Sequence, residues 1–173
     1  GFIALHAGVS GGADVILIPE IPFKFESIIA KVRDRAEKGR KFSLVAVSEG
    51  AKPVGGVQIF SRKGDEIYVP RLGGIGQLVA EYMEKQGFES RVTVLGHVQR
   101  GGTPTAFDRW LATRYGSAAV RLAAQGGFDR MVALRCGTIT DIPLEEATST
   151  PKRVKPTDDA VITARNIGIS FGD

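Results

Sequence analysis

The chain has 173 residues, and its 23 Lys plus Arg outnumber its 19 Asp plus Glu, which gives a formal net charge of +4. This length suits one domain with a sizeable core, or one half of a larger protein. Nucleic-acid binders more often carry a concentrated basic run with interleaved aromatic residues, and the basic clusters at 38–41 and 152–155 are short. We therefore expect no nucleic-acid partner, although the mild basicity is compatible with an anionic ligand.

The cysteine content and the apolar runs indicate a compartment. The single cysteine, Cys136, cannot form an internal disulfide and fits a reducing cytosol. No apolar run approaches the roughly 20 residues that span a bilayer, and residues 1–13 lack the basic start of a signal peptide. We expect a cytoplasmic protein with no membrane partner. Because the chain begins at Gly1 and not at Met, we also expect a fragment or a processed segment.

The first part of the chain alternates predicted helices and strands. Residues 1–10 form a predicted helix, and the apolar run 14–19 is typical of a strand buried on both faces. Helical spacing follows at 27–38, with Gly39 as its stop, and a second buried strand is predicted at 42–47.

The pattern changes between residues 50 and 74, where alternation predicts a β-hairpin or an ordered loop. The alternating residues around Lys63-Gly64 are Val57, Ile59, Ile67 and Val69. We interpret this stretch as an insertion. A helix is then predicted at 77–86 with Gly87 as its stop, and a strand at 92–95.

The longest predicted helix covers residues 105–124 and begins with a capping pair, Thr105 and Asp108. Its predicted packing face consists of Phe107, Trp110, Leu111, Ala118 and Leu122. A fourth strand is predicted at 131–134. The tail from residue 139 to 173 is less regular and contains a predicted helix at 159–166, capped at Gly168.

Four strands separated by helices predict an α/β fold with right-handed βαβ layers and a parallel sheet covered on both faces. We expect one ligand-binding α/β domain at 1–138, with the hairpin insertion at about 51–74, and a C-terminal tail segment at 139–173 that packs back on it. Parallel sheets bind ligands beyond the carboxyl ends of their strands. Glu20, Glu49 and His97 each follow a predicted strand, so we expect them at one edge of the sheet.

Residues 91–104, with the sequence RVTVLGHVQRGGTP, contain the main candidate site. Arg91 and His97 flank the predicted strand, Arg100 lies in the following turn, and Gly101-Gly102 would let the backbone approach a ligand. Cations, exposed amides and a helix start together indicate an anion site. The acid Glu49 at the same edge favours a sugar phosphate over phosphate alone.

Each of these residues also has an ordinary structural explanation. His97 could be a hydrogen-bonded structural residue, Arg91 a solvated surface charge, and Glu49 an exposed turn acid. Their joint occurrence with the glycine turn favours binding.

Other features of the sequence point to no further chemistry. Gly11-Gly12 lacks the length and the lysine of a nucleotide phosphate loop, and the cations at 38–41 are typical of a solvated helix end. We find no metal-ligand cluster, no serine nucleophile elbow and no pair of hydrolytic carboxylates in the sequence.

The segment RVTVLGHVQRGGTP closely resembles the signature segment of 6-phosphofructokinases. The segments 11–20, 46–49 and 107–109 resemble the same family in the same order, and the closing segment 163–173 is similar to bacterial members that use ATP or pyrophosphate. The resemblance covers almost the whole chain but only the C-terminal half of the enzyme. It implies the Rossmann-like half of a phosphofructokinase.

The resemblance implies roles for individual residues. His97 and Arg91 would hold the 6-phosphate of fructose 6-phosphate, with Arg91 reaching into a neighbouring subunit's site, and Arg100 and Glu49 would hold the sugar. It further implies an allosteric homodimer or homotetramer that acts in glycolysis. An effector site for ADP or phosphoenolpyruvate would include Asp14, Lys38 and Arg40.

The family's glycine-rich donor loop and its Thr-x-Asp-x-Asp catalytic segment are absent from these residues. We therefore expect ATP or pyrophosphate, Mg²⁺ and the catalytic base to be held by the missing half, with no catalytic residue and no metal ligand in this segment. Which donor is used stays open. The alternatives are a non-catalytic phosphosugar-sensing or regulatory subunit and, less favoured, a nucleic-acid binder with steeply salt-dependent affinity.

Overall fold

A computed structural model describes residues 1–58, 60–62 and 71–173 of the chain. Its helices are α1 (Phe2–Ser10), α2 (Phe25–Glu37), α3 (Ile75–Lys85), α4 (Ala106–Ala124), α5 (Leu144–Ser149) and α6 (Asp159–Asn166). Its strands are β1 (Val15–Leu17), β2 (Val45–Val47), β3 (Phe60–Arg62), β4 (Arg71–Leu72), β5 (Arg130–Arg135) and β6 (Thr138–Pro143). A 3₁₀ helix covers Gly96–Arg100.

The chain divides into two compact units. The first unit consists of Gly1–Val94 and Arg153–Asp173, and the second unit of Leu95–Lys152. The predicted boundary near residue 138 lies inside the second unit, where β5 turns into β6. The division of the chain at that residue stays a prediction.

Strand β1 is the centre of the first unit. It pairs in parallel with β2, and on its other side Val15 bridges to Ser170, also in parallel. The amide of Ile16 donates to the carbonyl of Ser170 at 2.8 Å. These parallel neighbours confirm the predicted α/β class and the predicted strand at 14–19.

The core of the first unit lies on both faces of β1, because successive side chains of a strand point to opposite faces. Ile16 and Ile18 belong to a cluster with residues of α1 and α6, whereas Val15 and Leu17 belong to a cluster with residues of α2 and α3. Helix α1 approaches β1 closely at Gly8, where a Cβ would lie 2.6 Å from Ile16 Cδ1. The strand is therefore covered on both faces, as its unbroken apolar sequence predicts.

The helices of the first unit lie where the periodicity predicts them, with ends shifted by no more than a few residues, and α6 has the predicted bounds. The predicted stops Gly39, Gly87 and Gly168 adopt φ values of 79°, 87° and 90°. A positive φ cannot continue a right-handed helix and is easily adopted only by glycine. The glycines therefore end these helices by backbone geometry.

Two predicted strands need correction. The second strand is shorter than 42–47, because Phe42 is 70% and Leu44 47% exposed and only Val45–Val47 pairs with β1. The predicted strand at 92–95 is wrong, since the chain there has no regular structure before the 3₁₀ helix begins. A strand needs a hydrogen-bonded neighbour, and none of the described strands pairs with this stretch.

The second unit also differs from the predicted sheet. Strand β5 pairs antiparallel with β6, so the prediction of four parallel strands is wrong in extent. The two-residue turn consists of Cys136 and Gly137, with φ values of 46° and 80°. Two positive φ angles match the twist of a tight hairpin, but cysteine seldom marks such a turn. The sequence pattern therefore did not predict β6, or the short helix α5 that follows it.

Helix α4 confirms its predicted cap and only part of its predicted packing face. The Thr105 side chain accepts from the amide of Asp108, and Asp108 accepts in return from the amide of Thr105. Phe107 and Trp110, however, are 65% and 63% exposed. Leu111, Ala118 and Leu122 are half-buried.

Within the predicted insertion β3 pairs antiparallel with β4, an arrangement that favours the predicted hairpin over an ordered loop. Val57, which precedes it, is 82% exposed. The predicted positions Ile59, Lys63-Gly64, Ile67 and Val69 lie outside the described residues. Among the helices that the structure describes, none is both long and apolar enough to cross a membrane.

Gly172→Ala tests how closely the chain at Gly172 packs against β1. Its φ is 78°, and a Cβ there would lie 2.8 Å from Phe23 Cβ and 3.1 Å from Leu17 Cδ2. Gly39→Ala is the matched control, because its φ is 79° and nothing lies within 4 Å of the added Cβ. We expect the control to lose about 1 kcal/mol of unfolding free energy through backbone strain, and Gly172→Ala about 1–3 kcal/mol more through overpacking. Equal losses in urea unfolding would contradict the close packing.

Candidate functional site

The carboxyl ends of β1 and β2 form one edge of the sheet in the first unit. Leu17 and Val47 are paired at these ends. Glu20 follows β1 and Glu49 follows β2 in the chain. The two acids therefore leave the sheet at the same edge, as predicted. The corresponding argument for His97 is wrong, because His97 follows no strand and belongs to the second unit.

Glu49 lies in a tight turn directly after β2. The turn is closed by a hydrogen bond of 2.9 Å from the amide of Ala51 to the carbonyl of Ser48. Gly50 is buried beneath it, where a Cβ would lie 2.9 Å from Pro19 Cγ. Because Gly50 packs against Pro19 and holds the turn in place, the Glu49 side chain is exposed at a defined position. An exposed carboxylate at this position is able to accept hydrogen bonds from hydroxyl groups.

Glu20 is mostly buried and has a structural role. Its side chain is 11% exposed, and Oε1 accepts from the amide of Val154 at 3.3 Å. This bond ties the loop after β1 to the segment that returns to the first unit before α6. Glu49 is consequently the more accessible acid of the two.

Arg91 lies in a stretch without regular secondary structure after α3. Its side chain is 89% exposed and forms an ion pair of 3.1 Å with Glu89, which is 82% exposed. An ion pair so open to solvent contributes little to stability. The guanidinium can therefore exchange Glu89 for another anion at small cost.

His97 and Arg100 lie on the 3₁₀ helix of the second unit. Residues three apart on a 3₁₀ helix lie one above the other, so His97 and Arg100 share one face. Both are exposed, and neither side chain has a hydrogen bond or ion pair within the described part of the chain. Sequence spacing did not predict this shared face, since the segment was expected to be a strand end and a turn.

The glycine turn after Arg100 joins the 3₁₀ helix to α4. The amide of Gly101 donates to the carbonyl of Val98 at 3.0 Å, and Gly102 has a φ of 107°. The capping box of Thr105 and Asp108 then begins α4. As predicted, the cations, the glycines and a helix start follow one another over a short stretch.

Asp14, a predicted effector residue, is fully engaged within the first unit. Its Oδ1 pairs with Arg35 at 2.8 Å, and its Oδ2 accepts from the amide of Leu44 at 2.8 Å. Arg35 in turn donates to Ser43 Oγ at 3.1 Å. This cluster holds α2 against the start of β2, so Asp14 has a structural role.

The other two predicted effector residues lie at the end of α2. Lys38 donates to Asp34 and lowers the pKa of that carboxyl below its ordinary value. Arg40 is exposed beyond the helix end. A depression of about 270 Å³ nearby is lined by Asp14 together with Lys31 and Arg35, which the sequence had not singled out, and not by Lys38 or Arg40.

No group of three or more His, Cys, Asp or Glu side chains within the described ranges is placed to hold a metal ion.

The family model described as phosphofructokinase matches residues 1–123. The chain is 53% identical over its whole length to the ATP-dependent 6-phosphofructokinase of Chloroflexus aurantiacus, of which it covers 47%. It is 46% identical to the pyrophosphate–fructose 6-phosphate 1-phosphotransferase of Streptomyces coelicolor, over 99% of the chain and 49% of the relative. The chain belongs to the phosphofructokinase family and spans about half the length of these relatives.

A crystal structure with a similar fold supports the same conclusion about architecture. It is that of a pyrophosphate-dependent phosphofructokinase from Marinobacter aquaeolei, with a TM-score of 0.70 and 23% identity over 98% of this chain and 45% of that one. The fold of the chain is therefore the fold of half a phosphofructokinase.

The capping box after the glycine turn predicts a titration. Hydrogen bonds from the Thr105 hydroxyl and then from the Thr105 amide lower the pKa of Asp108. Because the folded pKa lies below the ordinary value, the cap contributes above that value and is lost as the pH falls through the lowered pKa. We expect carboxyl NMR titration to show the Asp108 pKa rising toward the ordinary value in Thr105→Val.

Thr113→Val is the matched control, since its hydroxyl donates to the backbone carbonyl of Arg109 and not to a carboxylate. An Asp108 pKa that moves equally in both variants, or in neither, would contradict the capping geometry.

Proposed function

We propose that this chain is the C-terminal, sugar-phosphate-binding half of a 6-phosphofructokinase that converts fructose 6-phosphate to fructose 1,6-bisphosphate in glycolysis. The observation that carries the proposal is the pair His97 and Arg100, on one face of a short helix in a chain of this family. Both are nitrogenous side chains without a partner among the described residues. Relatives named for ATP and for pyrophosphate both match, so the identity of the donor stays open.

In this proposal two of the nitrogenous side chains hold the phosphate, and the third holds the sugar together with the acid. His97 and Arg91 bind the 6-phosphate, with Arg91 reaching a neighbouring subunit's site in a homodimer or homotetramer. Arg100 and Glu49 bind the sugar hydroxyls. A guanidinium offers paired donors to phosphate oxygens, and a carboxylate accepts from hydroxyls. The exposure of all four side chains supports their availability to a ligand.

The chemistry then requires groups that this chain does not offer. The 1-hydroxyl oxygen attacks the terminal phosphorus of ATP or pyrophosphate, the bond from that phosphorus to the leaving ADP or phosphate breaks, and the hydroxyl proton passes to a base. The residues of this chain bind and orient the acceptor. The donor, Mg²⁺ and the base belong to the half of the enzyme outside this chain, which we place in the cytoplasm.

We further propose that Asp14, Lys38 and Arg40 contribute to an effector site for ADP or phosphoenolpyruvate at a subunit interface. The exposed charges at the end of α2 support this for Lys38 and Arg40. The contribution of Asp14 would be indirect, because its oxygens already hold Arg35 and the Leu44 amide.

Binding of fructose 6-phosphate tests the site. We expect Arg91→Ala and His97→Ala to weaken binding about 10- to 100-fold each, since a hydrogen bond to a charged group contributes about 1.5–3 kcal/mol. Isothermal titration calorimetry measures this, on the chain assembled with the other half of the enzyme. Arg33→Ala and His6→Ala are the matched controls, because both residues are exposed and lie on other elements. Unchanged affinity in both site variants would remove the assignment.

Turnover tests the division of labour. We expect the chain alone to give no fructose 1,6-bisphosphate from fructose 6-phosphate with Mg²⁺ and either donor, because it supplies only the acceptor side. A coupled assay on the purified chain measures this. Turnover by the chain alone would contradict the proposal, and an assembled protein that binds fructose 6-phosphate without ever turning it over would favour a sensing subunit.

A further inference from the structure

The chain between the Glu49 turn and β3 forms the start of the insertion, and it is tied to the core of the first unit. Its anchor is Phe23, which is fully buried. The Phe23 amide donates to the carbonyl of Lys52 at 3.1 Å, and the Phe23 carbonyl accepts from the amide of Val54 at 2.8 Å. Ala51, between these residues and the turn, is also fully buried. The backbone directly after Glu49 therefore has a fixed path.

A tight turn then reverses the chain. The amide of Gly56 donates to the carbonyl of Pro53 at 3.0 Å, and Gly55 has a φ of 72°. A positive φ is easily adopted only by glycine, so the residue types favour this reversal. It brings Gln58, two residues later, back to the turn that carries Glu49.

Gln58 holds the residue next to Glu49. Its half-buried side chain donates from Nε2 to the carbonyl of Gly50 at 3.3 Å. Pro19 packs against the same residue, since a Cβ on Gly50 would lie 2.9 Å from Pro19 Cγ and 3.4 Å from Gln58 Nε2. The contact of Pro19 is apolar, whereas that of Gln58 is directional. Because a peptide unit is planar, the hydrogen bond to the Gly50 carbonyl also fixes the orientation of the peptide plane that follows.

We infer that Gln58 is a positioning residue for the sugar contact of Glu49. This inference rests on the proposed function, in which Glu49 accepts hydrogen bonds from sugar hydroxyls. The Glu49 side chain is exposed and has no hydrogen bond or ion pair among the described residues, so its position is set by its backbone. Binding energy is realised only when groups are held in place beforehand. Gln58 acts through Glu49 and does not touch the ligand.

Gln58→Met removes the donor and keeps the length of the side chain. On the chain assembled with the other half of the enzyme, we expect the KM for fructose 6-phosphate to rise about 2- to 10-fold, the range for loss of one neutral hydrogen bond. We expect kcat and the KM for the phosphoryl donor to stay unchanged, because the lost contact bears only on acceptor binding. Gln58→Glu has the same size and replaces the donor by an acceptor, so it should raise the same KM at least as much.

Gln77→Met is the matched control. Gln77 also donates from Nε2 at 3.3 Å, to Glu81 Oε1, but it lies on α3. We expect this variant to keep the KM of the wild-type enzyme. A KM raised equally by Gln58→Met and Gln77→Met would overturn the inference.

A double-mutant cycle separates positioning from a purely structural role. In a Glu49→Ala background there is no carboxylate to position, so we expect Gln58→Met to change the KM for fructose 6-phosphate by less than about 1.5-fold. A purely structural role predicts the same rise in both backgrounds. Two results would overturn the inference: a rise that persists in full in the Glu49→Ala background, and a Gln58→Met enzyme with the wild-type KM.

Amide hydrogen exchange in the chain alone tests the contact without any activity. The amide of Ala51 closes the turn by donating to the carbonyl of Ser48 at 2.9 Å. We expect this amide to exchange about 2- to 10-fold faster in Gln58→Met than in Gln77→Met, because the turn opens more easily without the Gln58 donor. Equal exchange in the two variants would overturn the inference while leaving the proposed function intact. Faster exchange, in a wild-type assembled enzyme that does not bind fructose 6-phosphate, would contradict the proposed function and leave the positioning of Glu49 by Gln58 intact.

Discussion

Burial of β1 on both faces is the constraint on which the described structure depends. One short strand of Val, Ile and Leu separates two apolar clusters, with α1 and α6 on one side and α2 and α3 on the other. Burying a side chain of this size contributes about 1.5–3 kcal/mol. The second unit has nothing equivalent, because no residue between Leu95 and Lys152 is buried. The chain therefore joins a unit with its own core to a unit without buried residues.

This division bears directly on the proposed site. Glu49 and Arg91 belong to the first unit, and His97 and Arg100 to the second. Glu49 is positioned by a turn packed on Pro19, whereas His97 and Arg100 depend on a single 3₁₀ turn. Binding energy is realised only when groups are held in place beforehand. A second unit without a buried core would therefore lower the affinity for a sugar phosphate, even with every contact residue present.

The sequence predicted most of the first unit because its signals are local. Unbroken apolar runs identify a buried strand, and Gly39, Gly87 and Gly168 end helices through their own backbone angles. The edge shared by Glu20 and Glu49 followed from the rule for parallel strands. These features require no knowledge of distant residues.

The predictions that were wrong depend on structural features that a local sequence pattern does not contain. The β-branched run at 92–95 has strand propensity, but none of the described strands pairs with it. Cys136 adopts a positive φ, which is uncommon for cysteine, so the sequence did not predict the turn into β6. Phe107 and Trp110 were predicted to pack because they are large and apolar, and they stay exposed because the described residues offer no surface opposite them. The shared face of His97 and Arg100 depends on a 3₁₀ helix that the sequence did not indicate.

Amide hydrogen exchange on the purified chain measures the difference between the two units most directly, because protection reports the local free energy of opening. We expect the strongest protection at β1 and in α2, and much faster exchange throughout α4 and β5. Protection in α4 and β5 equal to that of β1 in the chain alone would contradict the claim that the second unit lacks its own core.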